Sequence, residues 1–342
     1  MTTLSPRELA QIKMCIELFH PNPYIDHAIA QQVNLDRAIF LNGTLWDLGR
    51  EITISFFPID PQYNPRWYPI SLVQSLLEPN ETLDPIEGEA RDQVTYPDAV
   101  KLVLTKRVFP LASGLKFRFV DSDGDIRIRF NNMGGSSSYV GIQSLNISPQ
   151  DYTTTFGWMD VGTIIHEFCH ALGMVHEHQN PRGNPIHWNV QAVYDWAAQT
   201  QGWDQQTTYQ NIIMRYSTDQ VNGSVYDPYS IMVYAVDPKL TTDGYSVHSN
   251  VQVSRTDCQW LTAMYPSQGI RQNPKPDVVS DMCKPYPAPE GSEGGSGGNS
   301  GTGGSPSDTT PTMDNKYNWV VYVSIAILVI IAIILVIVLI RL

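Results

Sequence analysis

Apolar residues follow several distinct periods along the chain. Leu9, Ile12, Ile16 and Phe19 recur at steps of three and four behind Ser5-Pro6-Arg7-Glu8, which offers an N-cap, a Pro at the first helical position and a Glu closing a capping box. A short amphipathic helix is therefore predicted near the start. Alternation of apolar and polar residues over Thr53 to Phe57, Leu115 to Val120 and Ile126 to Phe130 predicts three half-buried strands, and Ala99 to Phe109 has helical spacing. Asp121-Ser122-Asp123-Gly124-Asp125 joins the last two strands. Its alternating carboxylates suggest a calcium loop, but Gly124 precedes Asp125 and Asn132 stands where a closing Glu belongs. Asp-Gly between alternating runs predicts a hairpin turn instead.

Two further stretches set the organisation. From Pro287 to about Thr312 the chain is Gly, Ser, Pro and Thr with almost no large apolar residue, the composition of a flexible tether. From Trp319 to Ile340 no residue is charged and Ile, Val, Leu and Ala dominate, enough to cross a hydrocarbon layer of about 30 Å as a helix. Lys316, Tyr317 and Trp319 at one boundary and Arg341 at the other are suited to interfacial anchoring. The expected division is 1–39, an N-terminal helical extension; 40–285, a globular domain; 286–315, a Gly/Ser-rich stalk; and 319–340, a transmembrane helix.

Composition changes this picture little. The chain is 42% hydrophobic with 8 Trp and 17 Tyr, which supplies a real core and excludes general disorder. A net charge of -12 without basic clusters argues against a nucleic-acid partner. The four cysteines, Cys15, Cys169, Cys258 and Cys283, have spacings that match neither a zinc motif nor a known disulfide framework, so their pairing stays open. The first 30 residues lack the apolar run of a secretory signal.

The chemistry is concentrated in His166-Glu167-Phe168-Cys169-His170-Ala171-Leu172-Gly173-Met174-Val175-His176. His166 and His170, four apart on a helix, project from one face toward a single metal ion. Val161, Ile164, Ile165, Phe168, Ala171 and Leu172 cover the other faces. Gly173 can adopt the left-handed conformation that ends the helix and returns His176 as a third ligand. Glu167, beside the first ligand, reaches the open position, where a zinc-bound water with its pKa lowered toward about 7 needs a base. Chance alone would produce the five fixed residues with a probability on the order of 10⁻⁵.

Residues 166 to 177 together with Ser230-Ile231-Met232-Val233-Tyr234 resemble the astacin family of metzincin zinc peptidases. His178-Gln179-Asn180-Pro181-Arg182 and Asp257 to Pro266 resemble bacterial and fungal members especially. The resemblance implies an α+β metzincin fold with a twisted mixed sheet, a zinc-site helix and a Met-turn. It assigns one Zn2+ to His166, His170 and His176, catalysis to Glu167 and Tyr234, and an apolar floor beneath the metal to Met232. Glu177 is the residue type that marks astacin-like members. Trp46 to Phe57 resembles the first core strand, and Gly135 to Gly141 the loop before the substrate-binding edge strand. Cys169 departs from the usual Gly or apolar residue between the ligands, and the family's disulfide pattern is not evident.

The implied function is a membrane-anchored zinc-dependent endopeptidase acting on proteins or peptides, with residues 319–340 in a lipid bilayer. The alternative is a catalytically silent, membrane-tethered binding or envelope protein; Glu167, which is not a ligand, favours the enzyme. In latent astacins an aspartate contacts the zinc from a prosegment, a role that position would give Asp26 or Asp36, against the simpler expectation of a helix packed on the domain. Insertion of so late a segment would leave the domain in the cytosol, whereas astacin-like enzymes work outside; a viral or cell-surface membrane is one resolution.

Overall fold

The protein is described by a computed structural model covering residues 15–18, 39–59, 67–69, 93–131, 135–272, 274 and 280–284. In chain order the strands are β1 (Ile16–Leu18), β2 (Phe40–Leu41), β3 (Glu51–Phe56), β4 (Trp67–Pro69), β5 (Gln93–Thr95), β6 (Lys116–Phe119), β7 (Ile126–Phe130), β8 (Ser137–Tyr139), β9 (Thr154–Phe156) and β10 (Val221–Asn222). The α-helices are α1 (Tyr96–Val103), α2 (Val161–Ala171), α3 (Val190–Thr200), α4 (Gln205–Thr208) and α5 (Arg255–Met264).

Six strands form one mixed sheet in the order β1-β8-β9-β7-β3-β6, in which only the β8–β9 pair is antiparallel. β2 pairs with β10, and β4 with β5, as separate antiparallel ribbons. Alternation places Ile52 and Ile54 of β3 and Ile126 and Ile128 of β7 inside with no exposure. Val100, Val103 and Leu104 at α1, Ile164 and Phe168 of α2, and Trp260 and Leu261 of α5 complete that core, so the strands and the zinc-motif helix share one hydrophobic body.

Several expectations need correction. β6 and β7 do not form a hairpin, because β3 lies between them and is parallel to both. A Cβ on Gly124 would come within 2.7 Å of the Ser55 amide nitrogen, and the Asp125 carboxylate accepts bonds from the Thr53 amide, the Thr53 hydroxyl and Arg50 at 2.9 to 3.0 Å. These contacts fasten the connection across the end of β3 instead of folding it back. The helix predicted to run through Ile16 and Phe19 is also not found where it is described: Ile16–Leu18 is a strand paired with β8, since sheet hydrogen bonds outweigh a weak local helical preference. Finally, Gly135 to Gly141 is not a loop throughout: it contains β8, which pairs with β1 on one side and β9 on the other. The stalk, residues 319–340, Asp26 and Asp36 lie outside the described residues. Among the described residues no helix is long and apolar enough to cross a membrane.

Candidate metal centre

α2 carries the first two histidines and is stopped where the motif requires. Asp160 caps its start, accepting from the Thr163 amide at 2.8 Å. At its other end the Gly173 amide donates to His170 and the Met174 amide to Cys169, the paired bonds of a Schellman stop, with Gly173 at φ +98°. The turn is tight as well as left-handed: a Cβ at Gly173 would lie 3.2 Å from Leu45 and 3.3 Å from Thr44. Val175 then donates to Ile39, and His176 arrives against the end of α2.

The three imidazoles converge. His170 Nε2 and His176 Nε2 are 3.2 Å apart, and the rings of His166, His170 and His176 lie 4.7 to 5.4 Å from one another. His166 Nδ1 lies 2.7 Å from the Ile231 carbonyl and His170 Nδ1 2.9 Å from the Met174 carbonyl. A carbonyl only accepts, so each Nδ1 carries the proton and each Nε2 presents its lone pair to the common point. Burial pushes the His176 imidazole well below its ordinary pKa, which keeps it neutral as a ligand must be. Lone pairs aimed at one another this closely fit a shared cation, and tetrahedral zinc with Zn–N of about 2.0–2.1 Å would separate its nitrogens by about 3.3 Å.

A fourth group enters this cluster from the other end of the chain. Cys15 Sγ lies 3.0 Å from His166 Nε2, 3.6 Å from His170 Nε2 and 3.0 Å from His176 Nε2, and the four ligand atoms all fall within 4.8 Å of one another. The position expected to be left for water and substrate is thus filled by a thiol. Sequence reasoning missed this residue, and spacing carried no signal for it, because 151 residues separate Cys15 from His166.

The remaining predicted residues also assemble. Glu167 is fully buried and lines the same cavity as His166 and Cys15. Met232 is buried in the core, and its carbonyl accepts from the Glu177 amide at 2.9 Å. The Tyr234 ring lies 4.3 Å from that of His176 and stacks on His178 at 4.2 Å, while its hydroxyl donates to the Cys15 carbonyl. Glu177 Oε1 accepts from Asn180 and from the Asp227 amide, and burial raises its carboxyl well above the usual range. Cys169 is buried, and desolvation raises its thiol pKa, so it serves as core.

Beneath the turn at Met232 sits a carboxylate the motif did not reveal. Asp257, in the capping box that opens α5, accepts from Ser230 Oγ at 2.7 Å, from the Ile231 amide at 2.8 Å and from the Ser254 amide at 2.9 Å. Since the Ile231 carbonyl orients His166, α5 is tied to a ligand through a single residue. Burial, reinforced by the neighbouring Asp227, raises the Asp257 carboxyl to about 7. The Cys258–Cys283 disulfide joins the same helix to the turn at Asp281–Cys283.

Beside the histidines opens a cavity of about 300 Å³, whose walls include Trp158, Thr163, Val233, Ala235 and Val251. Its lining is mixed, with Asp160, Ser249 and Asn250 among the apolar walls, and it opens beside Glu167.

Comparison with known proteins gives the arrangement a context. A family model described as Astacin, a peptidase family, matches residues 112–265. The structure of myroilysin is similar with a TM-score of 0.53 and 32% sequence identity, the match covering 68% of this chain and 100% of that one. "Zinc metalloproteinase nas-17" of Caenorhabditis elegans is 42% identical over 52 residues, 15% of this chain; the chain spans only 11% of that relative's length.

Proposed function

The chain belongs to the astacin family of zinc metallopeptidases, and on that premise we propose that it hydrolyses internal peptide bonds at the centre formed by His166, His170 and His176. The observation that carries this reading is the convergence of three Nε2 atoms, those of His166 and His170 oriented through Nδ1, beside the buried Glu167. Zinc held there would supply the Lewis acidity that attack on a peptide carbonyl requires. Glu167 takes the proton of the attacking water and delivers it to the departing amine nitrogen. Tyr234, whose hydroxyl donates to a peptide carbonyl at this place, namely that of Cys15, supports the oxyanion when substrate occupies the site. Met232 contributes shape: it fills the floor while its neighbour Ile231 orients His166.

The test is cleavage of a peptide library by the purified Cys15→Ser protein with one zinc per chain. Cleavage should stop with a chelator, resume on re-addition of zinc, and be absent from the same protein carrying Glu167→Ala. Turnover that survives the loss of Glu167 would remove the mechanism.

We further propose that the peptidase is tethered to a lipid bilayer by residues 319–340 through the stalk at 286–315. Supporting this are the uncharged apolar run with aromatic and basic flanks and the Gly/Ser-rich composition before it. The Cys258–Cys283 disulfide favours the oxidising side of that membrane for the peptidase. Alkaline extraction of membranes should leave the protein in the pellet, and external protease should reach the domain on intact cells or particles. Release into the alkaline supernatant would contradict the tether.

A further inference from the structure

The turn after the third histidine carries a side chain that the mechanism above does not use. His178, in the segment Glu177–Gln179, is fully buried, and its ring is fixed from several sides. Its Nε2 lies 2.9 Å from the Asn211 carbonyl; a carbonyl only accepts, so Nε2 carries the proton. The His178 carbonyl accepts from Asn184 Nδ2 at 2.7 Å. Gln179 is rooted in the same neighbouring segment, its Nε2 donating to the Gln210 and Met214 carbonyls at 2.7 and 3.0 Å. The Trp188 ring meets the imidazole edge-on, at 6.3 Å and 83°.

Tyr234 rests on this fixed plate. The two rings are 4.2 Å apart and only 24° from parallel, whereas Tyr234 meets His176 at 52°. The Tyr234 hydroxyl is 3.7 Å from the Cys15 sulfur, which itself lies 3.0 Å from the Nε2 atoms of His166 and His176, so the phenol points at the metal centre. A phenol oxygen lies on its ring's own axis, and turning the ring in place does not move it. Displacing it requires rotation about χ1, which slides the phenol across the imidazole and gives up the stack. Since a misplacement of about 1 Å can cost about a hundredfold in rate, a side chain that fixes this donor acts on turnover without touching substrate.

We propose that His178 is the positioning residue for Tyr234, a hydrogen-bonded aromatic plate that holds the phenol hydroxyl where the peptide carbonyl becomes an oxyanion. This rests on the peptidase reading above and adds to it the group that sets the aim of its oxyanion donor. A histidine that merely filled space would stabilise the fold and leave the rate per folded molecule unchanged.

The test is a double-mutant cycle on peptide cleavage by the zinc-loaded Cys15→Ser protein, with kcat and KM read separately. His178→Gln keeps a donor for the Asn211 carbonyl and removes the ring, while His178→Phe keeps a ring and removes the donor. His178→Gln should lower kcat about five- to tenfold, the change that losing an aromatic pair corresponds to, with KM and zinc content near those of the parent. His178→Phe should keep most of the parent kcat. In a Tyr234→Phe background His178→Gln should lower kcat less than about twofold, because no hydroxyl remains to be aimed. An unchanged kcat in His178→Gln, or an equal fall in both backgrounds, would overturn the proposal; should His178→Phe fold poorly, the cycle with His178→Gln decides alone. NMR of ring-labelled tyrosine reads the stack without turnover. The Tyr234 signal, assigned by its absence in Tyr234→Phe, should shift in His178→Gln as the imidazole ring current is lost, and a signal that stays in place would also overturn the proposal. A parent that binds one zinc and cleaves nothing would instead refute the peptidase reading, with the NMR shift still deciding whether His178 holds the ring.

Discussion

The two ends of the metal cluster were built in different ways. On one side, His166, His170 and His176 lie within eleven residues and are positioned by local devices: a helical face, a cap at Asp160 and a left-handed stop at Gly173. On the other, Cys15 reaches the same point from 151 residues away, carried by a three-residue strand. The local side is fixed by the fold of one helix and its stop. The distant side is a single cysteine ahead of a short strand paired with β8. The two differ in the length of chain that closes each contact.

Substitutions can break or sharpen this contrast. The largest effect belongs to Glu167: in a Cys15→Ser background, Glu167→Ala should lower turnover by about 10²–10⁴-fold while zinc content, measured by metal analysis, stays near one per chain. Tyr234 touches both sides, its ring against His176 and its hydroxyl on the Cys15 carbonyl, and Tyr234→Phe in the same Cys15→Ser background should lower kcat about a hundredfold in peptide cleavage.

The scaffold itself responds in stability. Replacing both Cys258 and Cys283 by Ser should cost about 3.5 kcal/mol on chain-entropy grounds, read as a lowered denaturation midpoint, without altering the zinc shell. Asp160→Ala should cost about 1 kcal/mol through the lost helix cap. A separate effect concerns pH. Asp257 has a folded pKa raised above its unfolded value, so the folded state binds more protons between about pH 4 and 7 and this group's contribution to stability declines as pH rises through that window. The stability advantage of the parent over Asp257→Asn should shrink correspondingly from pH 4 to pH 7 in denaturant titrations.

What was legible in the sequence follows the same division. The three histidines, Glu167, Gly173 and the strands at β3, β6 and β7 could be read because spacing on a helix or alternation on a strand encodes them. The sheet order could not, because β3 enters between β6 and β7 through side-chain bonds from Asp125 to Thr53 and Arg50 that no local pattern announces. Asp257 was visible only as part of a family-like segment, since its role depends on α5 packing beneath Ile231. Cys15 was the extreme case. Its neighbours favoured a helix locally, and only pairing with β8 turned them into a strand and brought the thiol onto the histidines.

The central claim is that a peptidase centre sits on the local scaffold of His166, His170 and His176 with Glu167 as its base. Its most direct test compares peptide cleavage by three zinc-loaded proteins: the full chain, Cys15→Ser, and Cys15→Ser with Glu167→Ala. The expected result is cleavage by Cys15→Ser and none by Cys15→Ser with Glu167→Ala, both binding one zinc, with the full chain as the reference. Cleavage by the third protein at the rate of the second would contradict the claim.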